Sequence, residues 1–81
     1  MRKRLLHGPA LKVIRTRTGI RQTDFATTCL ITPGYLSNLE SGRKQPTEVL
    51  MRKFADALGV TLNDITYVVT SEATEAQDVA A

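Results

Sequence analysis

From Pro9 onward the apolar positions of this chain fall three and four residues apart, the spacing that places side chains on one face of a helix. Leu11 and Ile14, with Ala10 and Val13 beside them, predict a first helix over Pro9–Thr18. Pro9 suits a first turn, where its missing N–H costs nothing, and Gly19 suits the residue just past the end. Phe25, Ala26 and Cys29 form the inward stripe of a second helix over Gln22–Cys29, with Arg21 at an N-cap position it cannot fill as Ser or Thr would. Leu30 and Ile31 make a turn. Thr32 as N-cap and Pro33 as first helical residue then open a third helix, which runs to Ser41 with Leu36 and Leu39 inward and stops at Gly42. After a loop of Arg43, Lys44, Gln45 and Pro46, Thr47 caps a fourth helix ending at Leu58, with a stripe of Leu50, Phe54, Ala57 and Leu58. Thr61 and Asp64 have the spacing of a capping box for a last short helix, Leu62–Ile65. The period then changes. Thr66–Thr70 is β-branched and aromatic, which favours an extended segment, and residues 71–81 are small and acidic, the composition of a disordered tail.

The expected architecture is therefore all-α. Residues 1–8 form a flexible basic arm, residues 9–66 a single compact domain, and residues 67–81 a C-terminal extension that ends in the acidic tail. At 81 residues the core is thin. One cysteine excludes an internal disulfide, and its place on an apolar stripe marks Cys29 as a packed thiol. A single histidine, His7, leaves no metal-ligand spacing, and there is no Ser/His/Asp or Cys/His set and no phosphate-cradling glycine loop. No enzyme, metal, cofactor or small-molecule ligand is expected. The apolar runs are too short to span a membrane, and His7, Gly8, Pro9 and Lys12 interrupt what would have to be a signal segment. These features lead to an expectation of a cytoplasmic protein, in a bacterial nucleoid or a phage-infected cell.

Charge sharpens the picture. Residues 1–44 carry nine Lys/Arg against two Asp/Glu, a balance of +7, whereas residues 45–81 carry two against six, a balance of −4. Such a split suits one side facing a polyanion and another facing water or protein. The Gln22–Gly42 stretch reads as two short helices around a tight turn. The second is too polar on one side to be wholly core, and cations flank it. That combination offers a helix to the major groove of double-stranded DNA.

A larger pattern joins these pieces: Leu11, Ile14 and Arg15; Gly19, Ile20, Gln22, Phe25 and Ala26; Ile31 through Glu40, Gly42, Arg43 and Pro46; Leu50, Phe54, Ala55, Ala57, Leu58, Gly59 and Val60. It resembles the Xre/Cro, lambda-repressor-like helix-turn-helix regulators over about residues 9–66. The resemblance implies a five-helix domain with the third helix as the recognition helix. This chain departs from the family pattern at Arg21, usually Ser or Thr, and at Leu30, usually a small residue and often glycine.

The family assigns roles that the residue types fill unevenly. Thr32, Pro33 and Gly34 stand where base-reading side chains are placed, yet they offer few hydrogen bonds, which moves readout toward Ser37 and Asn38. Asn38 suits an adenine edge, with a phosphate as its alternative. Gln22, Arg21, Tyr35, Arg43 and Lys44 are placed to meet phosphates, and Arg2, Lys3 and Arg4 to reach a neighbouring minor groove or to remain a solvated arm. In relatives the positions of Arg15 and Glu40 form a partly buried ion pair tying the first helix to the third. A dimer surface is expected around Val60, Leu62, Ile65, Tyr67 and Val69, with Tyr67–Thr70 pairing to a twin strand or folding back on its own core. The function implied is a sequence-specific transcription regulator, a repressor on a palindromic operator as a homodimer. The alternatives are an antitoxin that binds DNA and a toxin protein, and an interaction module that has lost DNA binding.

Overall fold

A computed structural model of the chain describes residues 2–70. It has five helices closed at their ends by a two-stranded ribbon, in the order β1 (Arg2–Leu6), α1 (Gly8–Thr18), α2 (Gln22–Thr28), α3 (Pro33–Glu40), α4 (Glu48–Leu58), α5 (Leu62–Ile65) and β2 (Thr66–Thr70). The all-α core with a short extended C-terminal segment agrees with the sequence reading. So do the helix punctuators. Gly19 and Gly59 take left-handed backbone conformations at the ends of α1 and α4. The hydroxyls of Thr32 and Thr47 accept from Tyr35 N–H at 3.1 Å and Leu50 N–H at 3.2 Å. Thr61 and Asp64 close the capping box of α5.

The core is one cluster. Phe25 and Phe54 stack at its centre with ring centroids 5.5 Å apart, surrounded by Leu11, Cys29, Leu36, Leu39 and Ile65. Along α4 the buried stripe is Met51, Phe54, Ala55 and Leu58, while Leu50 and Ala57 lie half-buried at its margins. The inward arc thus keeps Phe54 and Leu58 and takes Met51 and Ala55 in place of Leu50 and Ala57, a rotation of less than one residue and within the width that an amphipathic stripe allows. Cys29 is a packed thiol; burial pushes its pKa up, and the positive charge of Lys53 only partly opposes this.

The basic arm is the main correction. Arg2–Leu6 is a strand, antiparallel to β2 from Leu6 opposite Thr66 to Arg2 opposite Thr70. The cause is tertiary. The start of α1 and the end of α5 are neighbours, and His7 N–H donates to the Ile65 carbonyl at 2.8 Å, so the two chain ends leave the domain side by side. The β-branched run of β2 then supplies β1 with a ladder. His7, read from sequence only as a lone histidine, caps α1: its Nδ1 accepts from Ala10 N–H at 3.0 Å, and its ring meets Tyr67 edge-on. The acidic tail expected over residues 71–81 lies outside the described residues.

Leu30, in the turn between α2 and α3, has φ of +62° and is 82% exposed. The left-handed region costs a side-chain-bearing residue about 1 kcal/mol or more, and here no packing offsets it. Leu30→Gly is therefore expected to raise stability by about 0.5–1 kcal/mol even after the added flexibility of the unfolded chain is subtracted. Urea unfolding of the two proteins measures the difference.

Candidate nucleic-acid interface

The turn at Leu30 sets α3 across α2. Leu36, Leu39 and Glu40 are buried against the core, and this leaves Thr32, Pro33, Gly34 and Ser37 exposed along the opposite side, with Asn38 and Tyr35 half-buried at its border. A Cβ built on Gly34 would meet nothing within 4 Å, so at Gly34 the first turn of α3 stands clear of the rest of the domain. This side carries hydroxyl, amide and backbone groups and no charge. Charge enters beyond its end, at Arg43 and Lys44, both exposed. Their backbone N–H groups donate to the Asn38 carbonyl at 2.9 and 3.3 Å, fastening the loop to the last turn of α3. Arg21, exposed before α2, makes no side-chain capping bond, so its guanidinium carries no structural duty at that helix end.

Beneath α3 lies a buried polar node. Arg15 Nε donates to Glu40 Oε2 at 2.6 Å and Arg15 Nη2 to Glu40 Oε1 at 3.2 Å, a two-point pair between α1 and α3. Arg15 is 7% exposed and Glu40 4%. Further partners complete the node, so that each nitrogen and oxygen of the pair has at least one: Arg15 Nη1 donates to the Ile20 carbonyl at 2.8 Å, and Gln22 Nε2 donates to Glu40 Oε1 at 3.1 Å. Two charges inside a protein are tolerable only when paired and fully hydrogen-bonded, and this arrangement satisfies both. Gln22 thus belongs to the node that positions α3 and has only its remaining amide capacity for a phosphate. Sequence reasoning missed this link, since no spacing rule connects a residue at the start of α2 to the end of α3.

Other residues singled out from sequence are placed differently. Arg4 is committed to the domain: its Nη1 donates to Asn63 Oδ1 at 2.9 Å and Thr66 Oγ1 at 2.8 Å, and its Nε lies 3.6 Å from Glu48 Oε1. A guanidinium held by three groups on its own domain is not free to wrap into a distant groove, and the strand that carries it is paired. Arg2 and Lys3 remain exposed on that strand. Of the residues expected at a dimer surface, Ile65 is fully buried in the core and cannot touch a second chain, because α5 turns it inward behind the capping box. Val60 and Leu62 pack partly against the core. Tyr67 is 45% exposed, and β2 pairs first with its own β1. Among the described residues there is no group of three or more metal-ligating side chains, and no helix is long and apolar enough to cross a membrane.

A buried-pair scaffold, a capped short helix with an open polar face and a cationic loop at its end together define a helix-turn-helix domain. The chain belongs to the Xre-like helix-turn-helix family, whose family model matches residues 11–65. It is 34% identical over 55 residues to the HTH-type transcriptional regulator DdrOP3 of Deinococcus deserti, a match covering 68% of this chain and 43% of that protein. The chain thus spans less than half the length of that curated relative. Among solved structures it resembles the clp gene regulator ClgR from C. glutamicum, at 37% identity and a TM-score of 0.66 over 70% of this chain and 74% of that one. It also resembles the restriction-modification controller protein C.AhdI from Aeromonas hydrophila, at 26% identity and a TM-score of 0.68 over 72% and 88% of the two chains. These relatives are regulators, and none is described as an enzyme.

Proposed function

We propose that this chain is a cytoplasmic, sequence-specific regulator that binds double-stranded DNA and represses transcription by occupying a palindromic operator as a homodimer. The observation that carries the reading is the uncharged open face of α3 beside the exposed Arg43 and Lys44: discrimination by base edges, affinity from the backbone. Thr32, Pro33, Gly34, Ser37 and Asn38 face the bases in this reading. Pro33 offers apolar contact to a thymine methyl, Gly34 lets the backbone approach closely, and Ser37 and Asn38 supply the hydrogen bonds. Arg21, Tyr35, Arg43 and Lys44 meet phosphates.

A domain with so few base-reading groups gains discrimination by acting twice, on half-sites roughly 10 base pairs apart. The outer edge of β2 supports this reading of the dimer. The described sheet has two strands, so that edge is open, and Thr-Tyr-Val-Val-Thr carries no charge to repel a twin.

A chemical-shift titration with fragments flanking the gene, followed by footprinting, tests the proposal. The expected result is perturbation centred on Thr32–Asn38 and a protected site with twofold symmetry. Replacing Arg43 and Lys44 together by alanine is expected to weaken binding to all sequences alike and to lower the salt slope by about 2. Perturbation of a different surface, or affinity that does not change with salt, would sink the reading and favour an interaction module.

A further inference from the structure

Gln45 makes an unusual pair of bonds. Its Oε1 accepts from Leu6 N–H at 2.8 Å, and its Nε2 donates to the Leu6 carbonyl at 3.2 Å. Both backbone groups of Leu6 point away from β2, as the alternation of an antiparallel ladder requires once His7 N–H pairs with Ile65. The amide of Gln45 therefore stands where a third strand would, occupying one rung of the open edge of β1. An amide side chain presents a donor and an acceptor together, as a strand backbone does at such a rung.

The position of Gln45 in the chain gives the bond pair its consequence. It follows Arg43 and Lys44 directly and precedes Pro46, which is buried. The loop is held at one end by Asn38 of α3, through the two backbone bonds to its carbonyl, and at the other by β1, through Gln45. The exposed cations sit at the first anchor, immediately before the second.

We propose that Gln45 is the positioning residue of the cationic loop, clamping Arg43 and Lys44 to the terminal ribbon so that closure of β1 on β2 and affinity for DNA are linked. The inference rests on the reading of Arg43 and Lys44 as phosphate contacts. Linkage runs both ways: DNA held by the loop steadies β1, and loosening of β1 weakens the hold on DNA.

The test uses the full chain and Gln45→Met, which keeps the side-chain length and loses both bonds, with a mixed-sequence duplex of about 30 base pairs at low salt as the probe. Losing a two-bond clamp at the surface is expected to weaken binding about 5- to 10-fold. The same substitution in a background of Arg43→Ala and Lys44→Ala should then change binding less than twofold, because the clamp acts through those two side chains. Exchange of the Leu6 amide proton gives a readout that does not depend on affinity. It should slow when DNA is added to the parent, and in Gln45→Met it should be fast with or without DNA. Equal binding by parent and Gln45→Met overturns the linkage while leaving the DNA-binding reading intact. An undiminished loss in the alanine background also overturns it, since Gln45 would then touch DNA itself. A parent that fails to bind any duplex overturns the functional reading, and the linkage with it.

Discussion

Gly8→Ala is expected to destabilise this domain by about 3 kcal/mol or more, far beyond what adding one methyl group to a helix costs elsewhere. A Cβ at Gly8 would lie 2.4 Å from the Leu39 carbonyl oxygen and 2.5 Å from that of Glu40. Both are backbone atoms in the last turn of α3 and cannot rotate aside as a side-chain tip would. Alanine is the better helix former by about 1 kcal/mol, but that preference is smaller than the cost of prising two helices apart. For a domain of this size the loss corresponds to roughly 12–24 °C in Tm. Pro9→Ala, one residue on and exposed, should change stability by less than about 1 kcal/mol and serves as the control. If Gly8→Ala and Pro9→Ala unfold at the same urea concentration as the parent, α1 does not approach α3 this closely.

Function should suffer before the fold is lost. Relief of the clash pushes the end of α3 away from α1, and Arg43 and Lys44 hang from that same turn through the Asn38 carbonyl. At temperatures where Gly8→Ala is still folded, its affinity for DNA should already be below that of the parent.

Glu40→Ala is the second large effect, with an expected loss of about 3–5 kcal/mol. It removes three hydrogen bonds at once, two from Arg15 and one from Gln22. It also leaves a guanidinium buried with only the Ile20 carbonyl as partner. The cost comes mainly from the stranded charge rather than from the strength of the pair. Replacing both members by apolar residues of similar size, Arg15→Met with Glu40→Leu, should therefore recover much of what the single change loses. Chemical denaturation of the parent, both single variants and the double variant closes the cycle. A double variant no more stable than Glu40→Ala would show that the pair is favourable in its own right. Glu40 is buried in α3 and does not face the open side, so DNA binding by Glu40→Ala is expected to fall as a consequence of lost stability, at least as far as the folded fraction and further where α3 loses the node that positions it.

The helices were legible because their signals are local. Pro9, Thr32 with Pro33, Thr47, and Gly19 and Gly59 act on the turn that contains them, and each sits at or within one residue of the boundary it announces. The exposed positions of α3 were legible for a similar reason: once Leu36 and Leu39 face inward, helical geometry leaves Thr32, Pro33, Gly34 and Ser37 outside. Residues 2–6 were misread because strand formation depends on a partner sixty or more residues away, and nothing within Arg-Lys-Arg-Leu-Leu reveals it. Gly8 looked like the end of an arm, and the carbonyls it must clear belong to Leu39 and Glu40. Gln45 looked like loop filler, since its partner is a backbone rather than a side chain.

Sequence alone determined where the helices begin and end, which face of each is apolar, that the cations gather in the first half of the chain, and that the whole resembles a helix-turn-helix regulator. Tertiary structure decided that the chain ends zip into a ribbon, that Arg4 is bound to its own domain, that Ile65 is core, and that Gln22, Gln45 and Gly8 each help to aim the third helix or its loop. The division follows from range: periodicity and capping are interactions among residues within one or two turns, whereas a close backbone approach or a borrowed strand edge exists only after distant segments have been brought together.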